Sequence, residues 1–182
     1  MIYYISDLHL NHANIINMSN RPFNSIEEMN KTLINNWNKR ISKNDIVYFL
    51  GDFAYRCNQQ QATELLKQLH GEKYFIKGNH DKETWLNKIK EENLIKDWYN
   101  YKEINDAGRM VILCHYPLHS WNGLYHGSYH LYGHVHEKTV ENEDWQKHRF
   151  NVCVENTNYY PITLDDLLLN SVYTDAGYCI IK

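Results

Sequence analysis

A chain of 182 residues is one domain by length, enough to bury about 70% of the surface that its unfolded form exposes. Its formal charge of -3 offers no electrostatic footing for general nucleic-acid binding, and no stretch reaches the ~20 apolar residues of a membrane helix. Cys57, Cys114, Cys153 and Cys179 are widely spaced with no C-x-x-C pair, which argues against a zinc knuckle or a disulfide scaffold and suits free thiols in a reducing compartment.

The opening MIYYISDLHL lacks a basic lead and a long apolar run, so it does not read as a secretory signal, and a cytoplasmic protein is expected. Ile2–Ile5 is the first predicted strand. A helix over Ile26–Ile41 follows, because Ile26, Met29, Leu33, Ile34, Trp37 and Ile41 keep the spacing of one face. Ser25 with Glu28 three residues on has the capping-box pattern. Strand Ile46–Leu50, helix Gln59–Leu69, strand Tyr74–Ile76 and helix Lys82–Ile89 come next, giving β-α-β-α-β-α. Strands at Met110–Cys114, His130–Tyr132 and Phe150–Val154 complete the set, with a capped helix or turn at Thr163–Leu169. The βαβ beginning predicts a largely parallel sheet with helices on its faces, and residues 1–182 read as a single domain.

In such sheets ligands bind beyond the carboxyl ends of the strands. There the chain repeatedly places metal-binding side chains. YYISDLHL ends on Asp7 and His9, with Leu8 free to point away between them. VYFLGDF ends on Asp52, YFIKGNHD on Asn79-His80-Asp81, VILCHYP on His115, and HLYGHVH on His134 and His136. Asp7, His9, Asp52, Asn79, His115, His134 and His136 combine carboxylate, imidazole and carboxamide without thiolate. That mix suits Mn, Fe, Zn or Ni rather than a calcium cage. Seven ligands are too many for one ion that keeps room for substrate, and about right for two sharing a carboxylate. Two dications with Asp7, Asp52 and a bridging hydroxide leave net positive charge, which favours an anionic phosphate ester.

The ordered set D-x-H, G-D, G-N-H-D, H and G-H-x-H, from Asp7 to His136, resembles the calcineurin-like metallophosphoesterase superfamily. The resemblance implies an α/β fold, a four-layer αββα sandwich, around a dinuclear centre of divalent or trivalent ions, with Mn or Fe favoured. It implies that Asp7, His9 and His136 hold one metal, Asn79, His115 and His134 the other, with Asp52 bridging. It further implies that His80 contacts the phosphate and protonates the leaving oxygen, and that Asp81 orients His80. DLHLNHANII, RPF and CHYPLHSWN resemble a short bacterial and phage branch, in which His12 and Arg21 would line the substrate pocket.

Taken singly, Asp7 and Asp52 would be turn residues, His115 a packed histidine and Arg21 equally a structural ion pair. The aromatic residues between Trp121 and Tyr129 either wall a cleft or pack. Glu141–Asp144 reads as a solvated turn. The expected activity is hydrolysis of small or nucleotide-type phosphodiesters through a hydroxide bridging two metals, with long nucleic acid disfavoured by the acidic balance. The alternatives are a phosphomonoesterase and a non-catalytic scaffold of the same fold. Oligomeric state is not encoded in any recognisable feature.

Overall fold

In the computed structural model, which describes residues 1–138, 147–173 and 179–181, strand β1 (Ile2–Ile5) sends alternate side chains into two different cores. Tyr3 and Ile5 join one apolar cluster and Tyr4 the other. Strands β2 (Ile46–Phe49) and β3 (Glu72–Ile76) repeat the device: Val47, Phe49 and Phe75 enter the first cluster, Tyr48 and Ile76 pack with the second. Together with β4 (Asp97–Tyr99) they form an all-parallel sheet in the order β1-β2-β3-β4, with Ile2 opposite Ile46 and Tyr74 opposite Asp97.

Helices make the crossovers. α1 (Ala13–Met18) and α2 (Ile26–Arg40) lie between β1 and β2, α3 (Gln59–Leu66) between β2 and β3, and α4 (Glu83–Glu91) between β3 and β4. Met29, Leu33 and Trp37 of α2, Leu66 of α3, and Trp85, Leu86 and Ile89 of α4 are buried with Phe49, Phe53 and Phe75. Each large apolar side chain so placed contributes roughly 1.5–3 kcal/mol through burial. The Ser25 hydroxyl accepts from the Glu28 N–H at 3.1 Å, as the capping pattern predicts. The Glu28 carboxylate instead accepts from the Asn24 N–H at 2.7 Å, one residue earlier than a full box requires. The reciprocal box appears on α3, between Asn58 and Gln61.

The second sheet runs β5-β6-β7-β8, from Tyr101–Asp106, Arg109–Cys114, Tyr129–Tyr132 and Arg149–Asn151. β5 and β6 form an antiparallel hairpin, while β6, β7 and β8 are parallel. The hairpin turns on Ala107 and Gly108, at φ 52° and 85°, the positive values that a two-residue turn demands. Tyr4, Leu50 and Ile76 meet Val111, Leu113, Leu131, Phe150 and Val152 between the sheets. Leu164 and Leu167 of α5 (Leu164–Asn170) close that core, and Thr163 caps the helix by accepting from the Asp166 N–H. A short antiparallel pair follows, β9 (Ser171–Tyr173) with β10 (Cys179–Ile181). On the outer face of the second sheet, Trp121 and Leu124 pack on Ile112. Among the described residues that outer layer carries one 3-10 turn, Leu124–His126.

The fold is thus α/β, the four-layer αββα sandwich, with a thin outermost layer. The predicted helix Gln59–Leu69 stops at Leu66, and Phe150–Val154 is a strand only through Asn151, after which Cys153 makes one bridge to Ser6. α1, β4 and β5 are elements that the periodicity did not predict. The Glu141–Asp144 stretch lies outside the described residues. Trp121 packs rather than lining a cleft, and its indole N–H donates to the Ser128 hydroxyl at 3.1 Å.

Candidate metal centre

The strand ends that carry the seven candidate ligands turn in a strained way. Asp7 and His9 follow β1 at φ 58° and 48°, Asp52 follows β2 at 61°, and His134 and His136 follow β7 at 72° and 53°. Five of the seven therefore hold left-handed backbone, at about 1–2 kcal/mol each for a non-glycine residue. Strain of this kind concentrates where a site fixes side chains against backbone preference. Leu8 is buried in the helix-side core, so Asp7 and His9 share the opposite side, through left-handed turns rather than strand pleating.

These turns bring the side chains together. The Asp7 Oδ2 accepts from the His134 N–H at 3.0 Å and lies 3.1 Å from Cys153 Sγ. Its Oδ1 stands 3.7 Å from His9 Nε2 and 3.8 Å from His136 Nε2. Among the described residues, Asp7 Oδ1 and His9 Nε2 are buried with no hydrogen-bond partner. Asp52 Oδ2 lies 3.6 Å from both His9 Nε2 and His115 Nε2, and Oδ1 accepts from the His80 N–H at 2.9 Å. The His115 Nδ1–H donates to the Leu50 carbonyl at 2.7 Å, which turns the Nε2 lone pair toward Asn79 Oδ1, 3.0 Å away. His134 Nδ1 is 2.8 Å from the same oxygen.

Acceptors facing acceptors across 3–4 Å are what a cation satisfies. Asp7, His9 and His136 form one group whose ligand atoms lie within 4.8 Å of one another, and Asp7, Asp52 and His115 form a second. The donor set fits transition-metal ions. Burial pushes the Asp52 carboxyl up to about 7, with His115 opposing and Asp7 adding to the rise. Burial would raise Asp7 too, yet its contact with His9 and the nearby His115 and His136 hold it below the usual carboxylate range.

Glycines make room for the carboxylates. A Cβ on Gly78 would collide with the Asp52 carboxylate, and one on Gly133 with the Asp7 carboxylate and the Ser6 hydroxyl. Close approach, and not a special φ, is what Gly78 supplies.

Two of the expected roles require correction. Arg21, expected in the substrate pocket, has a fully buried side chain: Nη1 donates to the Leu8 carbonyl at 2.8 Å, Nη2 to the Asp7 carbonyl at 2.7 Å, and Nε to Glu155 at 2.9 Å. With Nη2 also donating to Glu155 at 2.7 Å and Nη1 3.5 Å from Met29 Sδ, the guanidinium is engaged within the protein, two of its bonds holding the Asp7 turn, so it faces no substrate. Asp81 does not bond the His80 ring. Its carboxylate accepts from the backbone N–H groups of Asp52, Phe53 and Gly78, which ties the β2 and β3 turns together. His12 sits beside the cluster, its Nδ1 3.4 Å from His9 Nδ1 and its ring 4.2 Å from that of Tyr55. The His80 side chain is about a third exposed and rests against the Tyr55 ring at 4.7 Å.

Sequence reasoning missed Glu155. Its side chain is buried, accepts from His136 Nδ1 at 3.0 Å, and pairs with Arg21 at 2.7 Å. The signal was available as an acidic residue set directly after the apolar run Val152-Cys153-Val154.

Comparison with known proteins agrees with this arrangement. The calcineurin-like phosphoesterase family model matches residues 1–172. An uncharacterized Methanocaldococcus jannaschii protein, MJ1445, is 42% identical over 168 residues, covering 90% of this chain and 87% of its own length. The gene 66 protein of Mycobacterium phage L5 is 22% identical over 202 residues, covering 96% and 97%. The crystal structure of AQ665 from Aquifex aeolicus, a protein of unknown function, superposes with a TM-score of 0.70 at 27% identity, covering 89% of this chain and 94% of that one. The chain belongs to the calcineurin-like phosphoesterase family, and with it to the metal-dependent phosphoester hydrolases.

Proposed function

We propose that the protein is a two-metal phosphodiesterase acting on small or nucleotide-type phosphodiesters. The observation that carries this reading is the position of Asp52, whose Oδ2 is 3.6 Å from an imidazole nitrogen of each half of the ligand set, His9 and His115. Asp7, His9 and His136 would hold one ion, Asn79, His115 and His134 the other, and Asp52 both. When bound, such ions, with Mn or Fe favoured, supply an activated water and neutralise charge on the phosphoryl oxygens.

The chain's own groups then divide the remaining work. The bond from the His80 N–H to the Asp52 carboxylate fixes the GNHD turn, and the His80 ring stays partly exposed. Burial lowers the pKa of His80 while the Asp81 charge raises it in part. An anionic phosphoryl group beside the ring favours its protonated form, which then donates to the departing oxygen. Asp81 and Arg21 act on geometry, by locking the turns that present Asp52 and Asp7.

Diesters are favoured over monoesters because a cleft of about 670 Å³ adjoins Asn79 and His80, and no large cap segment encloses it among the described residues. Single-domain organisation over residues 1–182 and a cytoplasmic setting belong to the same reading. Supporting it, no described helix is long and apolar enough to cross a membrane, and Cys57, Cys114 and Cys153 are free thiols. The test is hydrolysis of bis-p-nitrophenyl phosphate against p-nitrophenyl phosphate with Mn, Fe, Zn or Ni supplied. Faster diester turnover is expected. A monoester preference would replace the diesterase reading, and no turnover with metal bound would favour a non-catalytic scaffold.

A further inference from the structure

A cleft of about 670 Å³ opens beside Asn79 and His80, between the segment that follows β2 and the start of α4. Its volume suits a ligand much larger than one phosphoryl group. Tyr55 forms the wall shared with the metal centre, its ring between His12 at 4.2 Å and His80 at 4.7 Å. Trp85, nearly fully buried, lies at the base.

Two cations line this cleft, Arg56 and Lys82. Both are exposed, and neither has an acidic partner among the described residues. The carboxylate nearest in sequence, Asp81, is buried and engaged by three backbone N–H groups. Glu83 is paired with Lys77 at 3.0 Å. Among the described residues, therefore, neither cation is held in an ion pair, and both stay available to an anion entering the cleft. Arg56 is also held in place: its guanidinium lies 5.5 Å from the Tyr55 ring centroid, and its backbone adopts φ 50°. A left-handed arginine is uncommon, and the strain is maintained at the rim of the candidate site.

We propose that this cleft binds a second anionic group of the substrate, so that the preferred substrate is a phosphodiester whose arm on the His80 side carries a further phosphate. A terminally phosphorylated dinucleotide has that chemistry. The inference rests on the phosphodiesterase reading for its catalytic consequence, but the anion subsite itself does not need turnover. Arg56 supplies a planar fork for bidentate phosphate contact and Lys82 a mobile point charge.

The test compares dithymidine monophosphate with its 5′-phosphorylated and 3′-phosphorylated forms, in the wild type, Arg56→Ala, Lys82→Ala and the double variant. Lys96→Ala, whose lysine pairs with Glu72, serves as a control for general loss of positive charge. One phosphorylated form should exceed the unphosphorylated one in kcat/KM by about tenfold or more, with the double variant losing that preference and Lys96→Ala keeping it. In parallel, calorimetric binding of thymidine 3′,5′-bisphosphate to the full chain, with Mn and after chelation, should weaken about tenfold or more in the double variant. Equal kcat/KM for all three dinucleotides, or a preference that survives the double substitution, overturns the proposal while leaving the diesterase reading intact. If no diester is hydrolysed, the diesterase reading falls. The subsite then stands or falls on whether bisphosphate binding depends on Arg56 and Lys82.

Discussion

The Glu155 carboxylate lies 3.0 Å from His136 Nδ1, and this single contact fixes which nitrogen of His136 faces Asp7. Because Glu155 Oε1 also receives two bonds from Arg21, at 2.9 and 2.7 Å, the imidazole is tied to the guanidinium that supports the Asp7 and Leu8 carbonyls. A carboxylate behind a ligating histidine sets its tautomer and raises its basicity.

Glu155→Gln should therefore weaken binding at the ion that His136 would hold, by about 10–100-fold, while the fold persists. Metal titration followed by calorimetry measures it. Unchanged affinity would show that Glu155 serves Arg21 alone.

His80 and Asn79 are neighbours with different work. His80→Ala should leave metal content unaltered and lower kcat for bis-p-nitrophenyl phosphate by about 10²–10⁴-fold. Asn79→Ala removes the oxygen that faces His115 and His134 at 3.0 and 2.8 Å, and should weaken one of two metal sites. Metal analysis beside steady-state kinetics separates the two. Equal metal loss in both variants would remove the distinction.

His130, away from the ligand cluster on β7, gives a prediction for stability against pH. Burial pushes its imidazole down to about 4, against 6.5 in the open chain, although its bonds to Ile112 and to the Tyr116 backbone partly oppose the shift. The unfolded chain takes up this proton first, so the contribution is complete above about pH 6.5 and is lost as pH falls through about 4. The difference corresponds to about 3 kcal/mol. Urea unfolding of His130→Gln should show a pH slope reduced by about one proton across that window. An identical slope would mean that the buried imidazole does not titrate on unfolding.

Much of this was legible in the chain. Apolar runs of Ile, Val, Tyr and Phe marked the buried strands because both faces of the first sheet are covered, and α2 showed its face at helical spacing. The ligand set was readable because each member follows a strand directly. β5 escaped because Lys102, Glu103 and Asn105 interrupt it at an exposed sheet edge, and its turn uses Ala107 where Asn or Gly would have signalled a hairpin. α1 is six residues long and lacks a side-chain cap, so it presented neither length nor start signal. Arg21, Asp81 and Glu155 could not be assigned from local pattern, since their partners lie on other turns: Arg21 and Glu155 are 134 residues apart in the chain. Only packing decides whether a buried charge meets substrate or backbone.

Asp7 and Asp52 are the pair of carboxylates around which two metal sites would form at the strand ends. Metal content per chain, measured by elemental analysis after saturation with Mn and removal of excess ion, tests it most directly. The wild type should retain two ions and Asp52→Asn at most one. A wild-type content of one ion or fewer, or two ions retained without Asp52, would contradict it.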